Sequence, residues 1–185
     1  MNKQTPIPKE ELEIFRNLKD VKVVFDVGAR TDSDYLNIKP KAVYHLFEPN
    51  PEFFKELKAK IKRKNVFFNN YGLGDKKGIV WYKKGNQSFV DSDNVLSMNT
   101  TGDWLLPIKT LDWYIKKNNI KRLDFLKIDT EGFDYRVLIG GKKALKMAKY
   151  IQYEHWDDKE CFHKLLEKDF NMEYIGNRNV LCTRK

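Results

Sequence analysis

Short apolar runs recur along this chain, and four of them reach an acidic residue at or near the end and precede a helix-forming segment. Val21 to Val27 leads into Asp26-Val27-Gly28-Ala29, and Ala42 to Phe47 leads into Glu48-Pro49-Asn50-Pro51. Val66-Phe67-Phe68 is a third run. Leu123 to Ile128 precedes Asp129-Thr130-Glu131-Gly132, and Tyr150 to Glu154 precedes His155. Runs of this length and branching read as buried strands, and strands alternating with helices predict a mainly parallel sheet with helices on both faces. Right-handed crossovers then bring the carboxyl ends of the strands to one edge, where open α/β sheets bind ligands. Asp26, Gly28, Glu48, Asp129, Glu131, Glu154 and His155 are therefore expected around one cleft.

Local signals support the intervening helices. Pro8-Lys9-Glu10-Glu11 opens an N-terminal helix with Leu12, Phe15 and Leu18 on one face. Asn50 caps a helix that starts at Pro51 and turns Phe54, Leu57 and Ile61 inward. Thr110 caps another through Leu111, Tyr114 and Ile115, ending at Asn118-Asn119. One continuous helix is expected through Val137, Leu138 and Leu145, and a last one from Glu160 to Lys168. The chain closes on strands near Met172 to Ile175 and Val180 to Thr183, joined by a turn at Gly176 to Asn179. Gly78 to Lys84 alternates like a strand, Gly85 to Ser88 reads as a turn, and residues 86–109 read as a mobile loop or lid.

A length of 185 residues suits one domain, 1–185, and a core large enough to need neither metal nor disulfide. Cys161 and Cys182 have no zinc-ligand spacing and read as a helix and a strand residue in a reducing, cytoplasmic setting. No stretch resembles a signal peptide or a membrane span. The net charge of +9, from 35 Lys and Arg against 26 Asp and Glu, speaks to solubility and steering. The lysines of 58–64 and 142–149 read as solvated helix faces, and the four tryptophans as core or rim residues.

Glu48 stands 22 positions after Asp26 at the end of the second strand, where a carboxylate accepts hydrogen bonds from both hydroxyls of a nucleoside ribose. The first turn lacks the G-x-G-x-x-G of a dinucleotide site. Asp26 before Gly28 suits a ligand carrying an ammonium group and opposes a pyrophosphate. Phe25-Asp26-Val27-Gly28-Ala29, Leu46-Phe47-Glu48-Pro49-Asn50-Pro51, Thr110-Leu111-Asp112, Phe125-Leu126-Lys127-Ile128-Asp129-Thr130-Glu131-Gly132 and Val137-Leu138-Ile139-Gly140-Gly141 resemble the ordered blocks of FkbM-type methyltransferases. The resemblance covers residues 20 to 155. It implies a Rossmann-like α/β class I methyltransferase fold with a C-terminal antiparallel strand, and S-adenosylmethionine as cofactor. Its reaction would be O-methylation of a small molecule or saccharide. By the same resemblance Asp26, Gly28 and Glu48 bind the cofactor, with Ala29, Pro49, Asn70 and Asp129 completing the contacts. Asp129 and Glu131 stand by the methyl-transfer site, and His155 is a third catalytic candidate.

Other readings stay open at this stage. Asp26, Asp129 or Glu131 could merely cap the following helices, and Glu48 could serve the N–H groups before Pro51. Two carboxylates as close as Asp129 and Glu131 repel, an arrangement that raises a pKa. Asp129, Glu131, Glu154 and His155 could form a hard metal site, although no spacing demands one and no metal is expected. The family commonly has a second glycine near Asp32, where a side chain would crowd or repel the methionine carboxylate; a degenerate, non-catalytic domain is thus one alternative. An RNA methyltransferase is another, disfavoured by the absence of an RNA-binding appendage, and nucleic acid is not an expected partner. A nicotinamide dehydrogenase lacks its glycines.

Overall fold

A computed structural model describes residues 8–82, 89–91, 104–155 and 159–185. Its elements in chain order are α1 (Lys9–Asn17), β1 (Val23–Val27), α2 (Tyr35–Ile38), β2 (Val43–Phe47), α3 (Pro51–Lys60), β3 (Val66–Asn69), β4 (Gly72–Leu73), β5 (Gly78–Tyr82) and β6 (Phe89–Asp91). There follow β7 (Trp104–Lys109), α4 (Leu111–Lys117), β8 (Phe125–Ile128), α5 (Asp134–Ile139), α6 (Lys142–Met147), β9 (Tyr150–Glu154), α7 (Lys159–Leu166), β10 (Phe170–Ile175) and β11 (Asn179–Arg184). The main sheet has seven strands in the order β10-β11-β9-β8-β1-β2-β3. The five from β9 to β3 are parallel; β11 is antiparallel to β9 and also to β10, the latter as the turn between them predicts.

Register decides what meets at the cleft edge. Val27 pairs with Phe47 on one side and Ile128 on the other, and Ile128 pairs with Tyr153. The strands end level, so Gly28, Glu48, Asp129 and Glu154 fall along one edge. Strand alternation divides the core between the two faces. Phe25, Val27 and Phe47 pack with Leu111 and Tyr114 of α4, Val137 of α5, Ala144 of α6 and Phe162 of α7. Val24, Tyr44 and Leu46 pack with Phe15 of α1, Tyr35 of α2 and Leu57 of α3. Both faces are thereby covered by helices, as the apolar strands require.

The predicted caps form. Asn50 Oδ1 accepts from the N–H groups of Glu52 and Phe53, with Pro51 at the first helical position. Thr110 Oγ1 accepts from Trp113 N–H. His45, within β2, exchanges a hydrogen bond with the Tyr114 hydroxyl at 2.7 Å, and burial lowers its pKa to about 4. Cys161 lies exposed on α7 and Cys182 buried in β11, both as free thiols.

Three expectations change. The single helix through Val137 and Leu145 is two, because Gly140 and Gly141 carry the chain past the backbone of Gly74. A Cβ on Gly140 would stand 2.0 Å from the Gly74 carbonyl oxygen. Within the segment read as a lid, residues 89–91 and 104–109 are strands of a second sheet ordered β4-β7-β5-β6. Residues 83–88, 92–103 and 156–158, with the 85–88 turn and Trp156, lie outside the described residues. Lys149 is no solvated helix residue: it precedes β9, with Nζ 2.7 Å from Asp20.

At the opposite edge from the cleft, the buried carboxylate of Asp124 accepts from the N–H groups of Lys22 and Val23 and from Arg122 Nε. Asp124→Ala would strand these donors and is expected to cost about 2–3 kcal/mol. Chemical denaturation measures the loss, and cofactor affinity in the surviving fold should not change.

Candidate active site

Order in the main sheet reverses between β1 and β8, since the chain leaves β1 toward β2 and returns on the other side. Such a switch point opens a crevice at the strand ends. Here it is a cleft of about 600 Å³ including its mouth, lined on one side by Val27, Gly28, Arg30, Phe47, Glu48, Pro49 and Phe53. Gly72, Leu73, Ile108, Asp129, Thr130, Glu131 and Phe133 complete it. Gly28 adopts φ +89°, and a Cβ there would lie 1.9 Å from the Asp129 carbonyl oxygen. Two requirements, a left-handed backbone and a bare approach to β8, thus coincide at one residue.

Glu48 projects from the end of β2 and is 4% exposed. Its Oε2 accepts from Arg30 N–H and its Oε1 from Asn50 N–H, both at 2.8 Å. So it does serve a backbone N–H just before α3, yet each oxygen keeps a second acceptor position. Burial pushes its pKa up to about 7, against the pull of the Asn50 and Arg30 N–H groups. Arg30 has φ +51° and sets its guanidinium 5.5 Å from the Phe53 ring centre. Sequence reading missed both. Spacing carries no signal for a left-handed arginine, which tertiary contacts must hold in place.

Across the cleft, Asp129 is 44% exposed and Glu131 has φ +55°. Neither caps the next helix. Asp134 supplies the fixing bonds instead, accepting from Thr130 N–H and Oγ1 through Oδ2 and from Glu154 N–H through Oδ1. Burial raises the Asp134 pKa to about 6. The carboxyl pushed up to about 7 on this side is that of Glu154, first by burial and then by Asp129, Asp134 and Glu131.

Four expected site residues lie elsewhere. Asp26 is on the other face of β1, because side chains alternate and Val27 takes the cleft. It accepts from Ser33 Oγ at 2.6 Å and pairs with Lys127 Nζ at 3.5 Å, so it is neither a helix cap nor part of the cleft wall. Lys127 also lies 3.2 Å from Asp129 Oδ2. Burial alone would lower its pKa; Asp129 and Asp26 reverse that and hold it charged. Ala29 is buried in the core, its N–H donating to Phe47 O and its carbonyl accepting from Asp32 N–H. Asn70 braces the Glu48-Pro49 turn through their carbonyls. His155 is buried beside Tyr174, away from the cleft, because β11 and β10 extend the sheet past β9. Asp32 turns to solvent and accepts from Ser33 N–H, so it does not crowd the cleft. Among the described residues no group of three or more His, Cys, Asp and Glu is arranged to hold a metal ion.

A family model for the methyltransferase FkbM domain matches residues 26–175, from the Asp26 strand to β10. The chain belongs to the FkbM methyltransferase family. The hexuronic acid methyltransferase AglP of Haloferax volcanii is 25% identical over 134 residues, 71% of this chain and 55% of that protein. The 2-O-methyltransferase NoeI of Sinorhizobium fredii is 23% identical over 181 residues, 84% of this chain and 73% of that protein. The chain thus spans little more than half the length of AglP. A Streptococcus mutans protein solved in complex with SAH superimposes with a TM-score of 0.59 at 10% identity, covering 98% of this chain and all of that one. At that identity the likeness establishes a shared class I methyltransferase-like fold. Among the described residues of this FkbM-family chain, no helix is long and apolar enough to cross a membrane.

Proposed function

We propose that this FkbM-family chain transfers a methyl group from S-adenosylmethionine to a hydroxyl, most directly that of a saccharide. The observation that carries the proposal is the buried Glu48 carboxylate, which lines a cleft floored by Gly28 and walled opposite by Asp129 to Glu131. The residues present fit such a cofactor: the cleft opens at the switch point of the sheet, and its lining mixes apolar side chains with a few polar ones. Glu48 would hold the ribose hydroxyls, Pro49, Phe53 and Ile108 the apolar base, and the Gly28 turn the methionine end. When bound, the cofactor supplies a methyl group on a sulfonium, already a good leaving group. The protein's part is then mainly positioning. Asp129 and Glu131 would orient the acceptor hydroxyl and accept its proton.

The outward turn of Asp32 supports competence over a degenerate domain. A saccharide acceptor draws support from the name of AglP, and an oxygen acceptor from that of NoeI. Free Cys161 and Cys182 suit a reducing compartment, and the reaction is assigned to the cytoplasm within a single domain.

Thermal unfolding tests the cofactor. S-adenosylmethionine or S-adenosylhomocysteine at about 100 times its Kd should stabilise the fold by about 2.7 kcal/mol, and NAD should not. Stabilisation by NAD alone overturns the reading. The pH dependence follows from Glu48. With its pKa near 7 in the folded protein, the carboxylate that accepts ribose hydroxyls is present above pH 7 and lost below it. Affinity for S-adenosylhomocysteine should therefore weaken as pH falls from 8 to 6, by up to about tenfold per unit. Apo stability runs oppositely, decreasing as pH rises from about 4.5 toward 7, because the folded state holds the proton more tightly than the unfolded chain. Glu48→Gln should flatten both trends, as read by calorimetry and denaturant titration.

A further inference from the structure

Trp113 lies half-buried near the start of α4, edge-on to Tyr71 at 6.0 Å between ring centres. Three ammonium groups converge on its indole. Lys117 Nζ is 4.7 Å from the ring centre, Lys77 Nζ 5.3 Å and Lys109 Nζ 5.5 Å. Lys117 stands one helical turn after Trp113 on α4, Lys109 is the last residue of β7, and Lys77 reaches in from just before β5. Among the described residues none of the three pairs with a carboxylate, whereas Lys149 pairs with Asp20, Lys164 with Glu160, and Lys127 with Asp26 and Asp129. The nearest acid in sequence, Asp112, is committed elsewhere: its Oδ1 accepts from the N–H groups of Lys143 and Ala144 at the start of α6.

Like charges gathered on one ring repel, and cation–π attraction at an exposed site offsets this only in part. An anion would be stabilised there. Chain continuity ties the patch to the side of the cleft that would hold the cofactor's base. Lys109 follows Ile108, and Tyr71 precedes Gly72 while packing on Phe47, and Ile108, Gly72 and Phe47 all line the cleft wall.

We propose that Trp113 with Lys77, Lys109 and Lys117 forms a surface subsite for an acidic sugar residue of an oligosaccharide, a more distant residue of which reaches Asp129 and Glu131 in the cleft. The indole presents an apolar surface to the C–H side of a pyranose, and the ammonium groups pair with its carboxylate. The subsite rests on the saccharide reading above and narrows it to acidic glycans. A single-stranded nucleic acid is the weaker fit, because such binding uses several aromatic platforms in series. Among the described residues one indole carries all three cations, and exposed Phe67 and Tyr174 lie on other strands, β3 and β10.

The test uses the full chain with three probes: an oligogalacturonate, its neutral methyl ester and an RNA oligonucleotide. The variants are Lys77→Gln/Lys109→Gln/Lys117→Gln and Trp113→Leu, which keeps an apolar filler. S-adenosylhomocysteine affinity, measured alongside by calorimetry, should equal the parent's in both. Oligogalacturonate should bind the parent, weaken between about 50 and 300 mM salt, and bind the triple variant about tenfold or more weakly. The methyl ester should bind the parent weakly, and Trp113→Leu should lose affinity for oligogalacturonate without losing its salt dependence. If Trp113→Leu does not fold, the triple variant decides. Equal binding by parent and triple variant overturns the subsite, as does a parent that ignores oligogalacturonate. So does tighter, lysine-dependent binding of RNA. A parent that binds no S-adenosylhomocysteine sinks the methyl-transfer reading instead, and the acceptor role of the subsite with it.

Discussion

Asp129→Asn is expected to reduce methyl transfer by roughly 10²-fold or more while the fold and cofactor affinity stay near those of the parent. Asp129 ends β8 directly beside β1, is 44% exposed, and lines the cleft opposite Glu48. A helix-capping role would predict a loss of stability with turnover intact. That role is already taken, since Asp134 rather than Asp129 accepts from the Thr130 N–H and hydroxyl. Asparagine keeps the shape and gives up the charge, so it removes both proton acceptance and the ion pair to Lys127. Lys127 retains Asp26 as a partner, which keeps the buried ammonium from being stranded. Glu131→Gln should lower turnover in the same direction. A panel of hydroxylated sugars and uronic acids serves as acceptors, with denaturation and calorimetry in parallel. If both variants methylate an accepted substrate at the parent rate, the acceptor-side assignment fails. The next candidate would then be Glu154, whose carboxyl is pushed up to about 7 beside them, and not His155, which is buried behind the cleft.

A single methyl group at residue 28 should have a comparable effect on the cofactor. Gly28→Ala meets two obstacles together: a left-handed backbone at φ +89°, and the Asp129 carbonyl oxygen 1.9 Å from the new Cβ. The backbone term costs about 1 kcal/mol or more. The contact is with backbone on the adjacent strand, so no side chain can swing aside. Either the Gly28 turn or the end of β8 must move, and both shape the cleft. S-adenosylhomocysteine affinity is expected to fall about 10²-fold, with a decrease of several degrees in Tm. Calorimetry and thermal unfolding read the two effects. An affinity within about threefold of the parent would mean that the cofactor does not depend on this turn.

The sequence by itself determined the parts governed by short-range physics. Apolar runs set the parallel strands, Asn50 and Thr110 set two helix starts, and strand ends marked Glu48, Asp129 and Glu131 as edge residues. Each rests on interactions spanning only a few positions, such as a cap reaching the next turn or alternation along one strand. Ordered blocks at the right spacing also identified the family. Tertiary structure decided which way the edge residues face and what holds them. Asp26 looked like a ligand-binding acid, but β1 gives its cleft face to Val27 and pairs Asp26 with Lys127, 101 positions away. Glu11 on α1 is buried because Gln152 and Asn179 donate to it from the far end of the chain. Arg30 and Glu131 take left-handed conformations on opposite cleft walls, and the helix through Val137 breaks where Gly140 passes Gly74. These outcomes depend on which distant segments become neighbours, and a buried polar group goes where such a partner can satisfy it.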